Sequence, residues 1–265
     1  MNDGAGIRSH GEVVAIVRPP DAALARCQLT HLERVPIDTR LARAQHDAYA
    51  ALLRKLGARV VELEPEPELP DAVFVEDVAI VLDEIAILTC PGAESRRPEV
   101  ESVAHALATF RTLAPVRPPG TLDGGDVLLD RNTLYVGRSG RTNDTGIRQL
   151  RDIVAPFGYQ VLAVPLAGCL HLKSACTAPA PGLFLLNPDW IDPQRFHGDR
   201  CIHVHPDEPR AANTFRIGDV VVMADAFPRT RQALVDFGLD VRTTDLSELQ
   251  KAEAGGSCMS LVFRA

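Results

Sequence analysis

The stretch LDGGDVLLDRNTLYVG, residues 122–137, contains the unit that decides the fold. Its apolar runs VLL and LYV are separated by the turn residues Asp130, Arg131 and Asn132, which is the pattern of a β-hairpin. A segment with helical periodicity follows at 145–156, and then the apolar strand YQVLAVPL at 159–166. The sequence therefore predicts a hairpin, a helix and one further strand as the repeating unit.

The same unit recurs along the chain. Paired strands are predicted in FVEDVAIV and IAILTC at 74–90, in HLKSACTA and LFLLN at 171–187, and in NTFRIGDVVVMA at 213–224. Equivalent positions in successive units are 39 to 49 residues apart, near Asp77, Asp126, Ser174, Asn213 and Cys258. Spacings in this range are typical of propellers and related repeat architectures. Five units of about 53 residues account for all 265 residues.

The two ends of the chain each carry half of a unit. EVVAIVR at 12–18 has no strand before it, and GGSCMSLVFRA at 255–265 has no hairpin partner of its own. We therefore expect the ends to pair, which closes a five-fold α/β ring and removes the exposed sheet edge. The alternative is an ordinary α/β sandwich with similar element lengths. Either way we expect one catalytic domain over residues 1–265, with a flexible tail at about 1–11.

Composition limits the classes of function. The chain is 46% hydrophobic and 24% charged, and its net charge is −7 with the basic residues dispersed, which argues against a nucleic-acid partner. No run of 18 apolar residues is present, so no membrane span is expected. The polar N-terminus MNDGAGIRSHGE has no secretion signal, and none of the six cysteines forms C-x-x-C. A cytoplasmic protein with free thiols is predicted.

A closed ring would bring together the polar residues at the starts of its inner strands. These include Cys258, a potential nucleophile preceded by two glycines and a serine, and His171, a potential base between two leucines. Asp123, in the LDGGD turn, is the expected carboxylate that orients the imidazole. By themselves a buried strand cysteine, a core histidine and a hairpin turn would be the ordinary interpretations. Because the three residues lie at matching places of the repeat, we favour the interpretation that they form a catalytic group.

Acids and arginines at matching places indicate the kind of ligand. Glu76 and Asp77 are adjacent within an apolar run, so at least one carboxylate should face the interior and meet a cation; Asp71 lies just upstream. Arg96 and Arg141 each follow a hairpin, and an arginine fork suits a carboxylate. Together they predict a small-molecule substrate with a cation at one end and a carboxylate at the other, such as an amino acid with a guanidino side chain.

A zinc site is the competing interpretation of one segment. Cys201, His203 and His205 alternate in CIHVHP and would share one face of a strand. Three ligands on one short strand diverge, and no fourth ligand is evident in the sequence. We therefore predict no metal and no organic cofactor.

The motifs FVEDVAIV, PGAESRR, LDGGDVLL, GRTN, HLKSAC and GSC, in this order, resemble those of the dimethylarginine dimethylaminohydrolases of the pentein superfamily. The resemblance covers about residues 14–262. It implies a five-bladed α/β propeller and the hydrolysis of Nω-methylated arginines to citrulline and an amine. It implies Cys258 as nucleophile, His171 as general acid and base, and Asp123 as the orienting acid.

The resemblance also implies the residues that bind the substrate. These are Asp71, Glu76, Asp77, Arg96 and Arg141, together with Leu24 in a lid over the pocket and the backbone of Ala252. Two alternatives stay open: an arginine deiminase that releases ammonia from free arginine, and a non-catalytic pentein that binds a macromolecular partner. Deiminases resemble longer chains, and a binding protein would not need the Cys–His–Asp set. Relatives occur as monomers and as homodimers.

Overall fold

The computed structural model describes residues 11–196 and 200–265, so most of the tail predicted at 1–11 lies outside the described residues. The chain forms five three-stranded sheets. Their strands are β1 Val13–Val17, β2 Arg59–Glu62, β3 Ala79–Val81, β4 Ile85–Leu88, β5 Thr112–Pro115, β6 Val127–Asp130, β7 Thr133–Arg138, β8 Gln160–Pro165, β9 Cys176–Ala180, β10 Leu183–Leu186, β11 Arg200–His203, β12 Phe215–Ile217, β13 Val220–Ala224, β14 Asp240–Thr244 and β15 Ser260–Arg264.

Each sheet has the same topology, in which an antiparallel pair is followed by a parallel strand. The sheet orders are β3-β4-β5, β6-β7-β8, β9-β10-β11, β12-β13-β14 and β15-β1-β2. A crossover connects each parallel pair, as parallel strands require. The helices are α1 Thr39–Lys55, α2 Glu99–Leu107, α3 Asp144–Val154, α4 Leu172–Ala175, α5 Pro228–Asp236 and α6 Ser247–Gln250. In the β10–β11 crossover, the described part contains the short 3-10 helix Pro193–Arg195.

The two ends of the chain complete one module together. β1 pairs antiparallel with β15, from Val13 opposite Arg264 to Val17 opposite Ser260, and parallel with β2. The predicted closure of a five-fold ring is therefore confirmed, and the sandwich alternative is wrong. Because β1 lies between β15 and β2, its residues 14–17 are fully buried.

The helices pack on the outer side of the ring and stabilise the modules, as α1 illustrates. α1 is capped at its N-terminus by Asp38, which accepts from the amides of Arg40 and Leu41. The chain turns away after the C-terminus of α1 at Gly57, whose φ of 92° suits glycine. Its inner face buries Ala42, Tyr49 and Leu53, and burial of such a side chain contributes about 1.5–3 kcal/mol. Tyr49 Oη also bonds Ser260 Oγ at 2.6 Å, which ties the helix to β15.

The first strands of the five sheets form the inner wall of the ring. Contacts connect β3 with β15, β6 with β9, and β9 with β12. The space they enclose is a central channel, lined by Val81, Leu129, Thr177, Arg216 and Val262 from the five inner strands.

Two predicted strands begin differently in the structure. FVED does not extend β3 but forms the 3-10 helix Val75–Val78, and HLKSA contains one turn of helix, α4, before β9 begins. Close packing between these turns and the Gly124–Asp126 turn replaces strand pairing there. Across the described ranges 11–196 and 200–265, no helix combines the length and apolar character needed to cross a bilayer.

Candidate active site

One small cavity collects most of the predicted site residues at one mouth of the ring. It is lined by Gln28, Asp71, Phe74, Asp77, Arg96, Arg141, Leu170, His171, Ser174, Ala252, Glu253, Ala254 and Cys258. Glu76 and Leu24 are absent from this lining, and Asp123 lies directly behind His171.

Asp123 and His171 form a buried pair. Asp123 is fully buried, and its Oδ2 lies 3.0 Å from His171 Nε2. Its other oxygen accepts from the amide of Gly92 at 2.9 Å. Asp126, three residues later, accepts from the amide of Leu172, so the LDGGD turn holds both the ring of His171 and the backbone that follows it. Burial raises the pKa of Asp126 to about 6.

The environment of His171 favours its protonated form. Its Nδ1 lies 3.7 Å from Asp77 Oδ1, so the ring is placed between two carboxylates. Burial acts to lower the pKa of His171, but Asp77 and Asp123 outweigh it and raise the pKa to about 9. The imidazole is therefore protonated at neutral pH, as a general acid must be.

Asp77 stays ionised although it is buried. Burial acts to raise its pKa, but the charges of His171 and Arg96 outweigh it and hold the pKa below the ordinary value. Its Oδ1 accepts from the amide of Gly125 at 3.1 Å. A Cβ at Gly125 would lie 2.7 Å from His171 Nδ1 and 2.6 Å from Asp77 Oδ1, so only glycine admits this contact.

Cys258 lies partly exposed at the cavity, two residues before β15. Its Sγ accepts from the amide of Gly255 at 3.3 Å and lies 3.9 Å from Asn213 Nδ2. A Cβ at Gly255 would approach Asn213 Cγ to 2.2 Å, so this glycine lets the thiol loop pack on Asn213. Burial, and then the charges of Glu76 and Asp77, raise the pKa of Cys258 to about 12. The empty site therefore holds a thiol rather than a thiolate.

A second acid and an arginine lie at the other part of the cavity. Asp71 is buried, and both its oxygens face the amide of Gln28, at 3.1 and 3.3 Å. Burial, partly offset by Arg96, raises its pKa. Arg141 lies with Nη1 3.7 Å from Asp123 Oδ2, and its Nη2 bonds Thr30 Oγ1 at 3.4 Å. Ala252 is buried beside them and lines the cavity with a single methyl group.

Arg96 is placed differently from the prediction of a substrate-binding fork. It is 4% exposed, with Nη1 2.5 Å from Asp77 Oδ2 and Nε 3.1 Å from both oxygens of Glu99. Nη2 bonds Glu99 and the carbonyls of Asp71 and Phe74. Most of its donors therefore hold the acids of the site, which leaves Arg141 as the more available cation.

The structure does not bring Glu76 or Leu24 to this cavity. Glu76 Oε1 lies 2.6 Å from Lys173 Nζ, and Oε2 accepts from Ser257 Oγ at 2.7 Å, on the side of the central channel. Leu24 is 1% exposed, because the 3-10 helix Ala22–Arg26, capped by Asp21, turns it into the core beside Tyr49. The segment that reaches the cavity is further along, at Gln28.

Within the described part of the chain, one group of side chains could hold a metal ion. It consists of Asp77, Asp123 and His171, whose ligand atoms lie within 4.8 Å of one another. The same groups already bind one another and Arg96. Cys201, His203 and His205 do not converge, because His205 lies past the end of β11 and its Nδ1 accepts from the amide of Asp207.

Several residues of the site were not predicted from the sequence. Asn213 occupies an equivalent position of the repeat, so its place beside Cys258 could have been inferred. Lys173 lies two residues after His171 in the same motif. Glu99 lies three residues after Arg96, so this ion pair could have been inferred from the spacing. Glu253 has no local signal, since its partner Thr30 is 223 residues away and becomes a neighbour only when the ring forms.

Comparison with known proteins gives consistent results. The model of the family described as N,N dimethylarginine dimethylhydrolase, eukaryotic, matches residues 28–174. The N(G),N(G)-dimethylarginine dimethylaminohydrolases of Streptomyces coelicolor and Pseudomonas aeruginosa are 41% and 34% identical; the alignments cover 94% and 83% of this chain and 96% and 87% of theirs. A solved mutant of the Pseudomonas aeruginosa protein complexed with citrulline superposes with a TM-score of 0.90 at 33% identity, covering 94% of this chain and 98% of that one.

The N-terminal domain of a cyanobacterial arginine dihydrolase shares the fold, with a TM-score of 0.85 at 20% identity over 95% of this chain and 97% of that chain. The five-module ring and its cysteine, histidine and carboxylates define an amidine-hydrolysing enzyme of the pentein class. Within that class, the chain belongs to the dimethylarginine dimethylaminohydrolase family.

Proposed function

We propose that this protein hydrolyses asymmetric dimethylarginine and monomethylarginine to citrulline, releasing dimethylamine or methylamine. One observation carries the proposal: the ring of His171 lies between Asp123 and Asp77 in a cavity that also contains Cys258. This arrangement provides an acid, a nucleophile and an anion for a cationic guanidinium in one place.

The substrate would lie along the cavity. Asp77 remains ionised and receives the guanidinium, whose pKa above about 12 keeps it cationic. Asp71, further along, suits the α-ammonium group, and Arg141 suits the α-carboxylate. Ala252 has a small side chain, so its role there is contact through the backbone. Arg96 acts through Asp77 and Glu99 rather than by direct contact.

Binding of the substrate cation would activate the nucleophile. The pKa of Cys258 is about 12 in the empty site because burial and two carboxylates oppose its ionisation. A guanidinium placed between the thiol and Asp77 adds a positive charge, so it lowers that pKa. The thiolate then forms where it is needed, with the electrophilic carbon beside it.

In the first half of the reaction, Cys258 Sγ bonds to the guanidino carbon and the bond to the methylated nitrogen breaks. His171, protonated at neutral pH, gives its proton to the departing amine. The product is a covalent thiouronium. In the second half, His171 takes a proton from water and the hydroxide oxygen bonds to the same carbon. The carbon–sulfur bond then breaks and the hydroxyl proton passes to solvent, which releases citrulline and the thiolate.

The test is a comparison of three substrates. The protein is incubated separately with asymmetric dimethylarginine, monomethylarginine and arginine, and citrulline and the released amine are both measured. We expect citrulline and methylated amine in equal amounts from the first two, with the Cys258→Ser variant as the inactive control. Ammonia from arginine without turnover of the methylated substrates would overturn the proposal in favour of a deiminase. No turnover of any of the three would overturn it in favour of a binding protein.

We further propose that residues 1–265 act as one catalytic domain, as a monomer or homodimer in the cytoplasm. The five sheets share one ring, which supports a single unit. Cys27, Cys90, Cys169, Cys176 and Cys258 are free thiols, as a reducing compartment favours. Size-exclusion chromatography with light scattering distinguishes the two oligomeric states.

A further inference from the structure

A short loop, residues 28–32, borders the cavity and is attached to it at several points. The amide of Gln28 donates to Asp71, and the Gln28 side chain contacts Ser95 Oγ. Thr30 Oγ1 accepts from Arg141. The rest of the attachment depends on one side chain, Glu253.

Glu253 binds three successive backbone amides of this loop. Its Oε1 accepts from the amides of Thr30, His31 and Leu32 at 3.1, 2.5 and 2.7 Å, and its Oε2 lies 3.2 Å from the amide of Thr30. Consecutive amides that point at one anion form a strong, charge-assisted site. Glu253 directly follows Ala252 and lies five residues before Cys258, so the bond joins the loop to the segment that carries the nucleophile.

The backbone of Glu253 makes this contact at a cost. Its φ is 61°, in the left-handed region, which is unfavourable for a residue with a Cβ. Glycine would be relaxed at this position. Arg131 is the other described non-glycine residue with a positive φ, and it lies in a hairpin turn. At Glu253 the strained conformation accompanies the three hydrogen bonds to the loop.

We propose that Glu253 is a positioning residue that holds the loop 28–32 in place, so that Gln28 keeps Asp71 oriented for the α-ammonium group of the substrate. This inference rests on the proposed function. Glu253 also lines the adjoining larger pocket together with His31 and Leu32, so loss of the contact would open the cavity towards that pocket.

The proposal predicts an effect on binding of the amino-acid part rather than on the chemical step. Cys258 is held by Gly255 and lies against Asn213, and His171 is held by Asp123. None of these contacts involves the loop. Substrates with an α-ammonium group should therefore lose affinity when Glu253 is changed. A methylated guanidino acid that lacks the amino group should lose less, because only the bond between Thr30 and Arg141 connects its carboxylate site to the loop.

The experiment compares Glu253→Gln, which removes the charge, with Glu253→Gly, which also relaxes the backbone. Glu101→Gln, an exposed position on α2, is the matched control. We expect amide hydrogen exchange in peptides covering 28–32 to accelerate about 10-fold or more in both Glu253 variants and to be unchanged in the control. The KM for monomethylarginine should rise about 10-fold with kcat retained, and the KM for 5-(N-methylguanidino)pentanoate should rise by a clearly smaller factor.

Two results would overturn the inference. One is unchanged exchange of the loop amides in both Glu253 variants, and the other is a fall in kcat of the same size for both substrates. Thermal unfolding of both Glu253 variants separates loosening of the loop from general destabilisation, because an effect confined to residues 28–32 leaves the unfolding temperature nearly unchanged. The exchange measurement needs no turnover, so it decides the role of Glu253 even if the wild-type protein fails to hydrolyse methylarginines.

Discussion

Glu76 and Asp77 are neighbours in the sequence, yet their carboxylates serve opposite sides of the ring. Both lie in the 3-10 helix Val75–Val78 and both are buried. Asp77 faces the cavity, where it meets His171 and Arg96. Glu76 faces the central channel, where Lys173 Nζ lies 2.6 Å away and Ser257 donates a hydrogen bond.

The two acids differ in what remains for them to bind. Glu76 is already paired with a cation, Lys173, which lies two residues after His171. Its other partner, Ser257, lies one residue before Cys258. Glu76 therefore connects the two segments that carry the predicted base and nucleophile, on the channel side of the ring. Asp77 is held ionised next to an open cavity, where a substrate cation can reach it. The difference teaches that a buried acid is a ligand site only where its counter-charges leave a face free. The substrate-binding role that the resemblance implies for Glu76 stays a prediction.

The largest effect is expected from replacing the predicted nucleophile on the cavity side of the ring. Cys258→Ser should reduce turnover by about 10⁴-fold or more, because an alcohol in this site ionises far less readily than a thiol. The fold and the channel-side contacts should remain, which circular dichroism and thermal unfolding can check. Near-normal citrulline formation by this variant would show that another group is the nucleophile.

The next effect concerns the partner of His171. Asp123→Asn should lower turnover by about 10²–10⁴-fold, because the amide no longer fixes and charges the imidazole. The pKa of His171 is about 9, held up by Asp77 and Asp123 against the effect of burial. Removing one carboxylate lowers that pKa, so the alkaline limb of the pH profile of kcat should move to lower pH.

The control is Asp126→Asn, which changes the second acid of the same turn. Asp126 binds the amide of Leu172 and the hydroxyls of Ser139 and Thr142, and its charge is another that raises the pKa of His171. It makes no direct bond to the ring, so its alkaline limb should move less. An equal shift in both variants would contradict the special role of Asp123.

The ring could be predicted from the sequence because its signals are local or periodic. Hairpin turns and helix stops such as Gly57 are local, and the spacing of Asp77, Asp126 and Cys258 follows the period of the repeat. The convergence of Cys258, His171 and Asp123 follows from that symmetry alone.

The remaining features depend on contacts between distant segments. Adjacent acids on a strand would point to opposite faces, and in the 3-10 helix they still diverge, since successive side chains are about 120° apart. Which acid faces the cavity depends on Lys173, 97 residues away, so periodicity could not decide it. Leu24 lies in a short 3-10 helix that buries its side chain, and the contact of Glu253 with Thr30 spans 223 residues, so neither placement has a signal in the local sequence.

The smallest effect on turnover is expected on the channel side, from Lys173→Met and Glu76→Gln. Neither side chain lines the cavity, so turnover should fall less than about 10-fold, although each variant should lose about 2 kcal/mol of stability by leaving a largely buried partner unpaired. The two variants should shift the pKa of the Cys258 thiol in opposite directions. Glu76 raises the pKa of Cys258 and Lys173 lowers it, so Glu76→Gln should lower the pKa and Lys173→Met should raise it.

Alkylation of Cys258 by iodoacetamide as a function of pH measures both shifts, with Cys258→Ser as the blank for the other five cysteines. General loosening of the ring would speed alkylation in both variants, whereas an electrostatic effect speeds it in Glu76→Gln and slows it in Lys173→Met. The double variant, which carries neither charge, should recover most of the lost stability and return the pKa towards that of the wild type. Shifts of the same sign in the two single variants would show that the channel-side pair acts on the nucleophile through packing rather than charge.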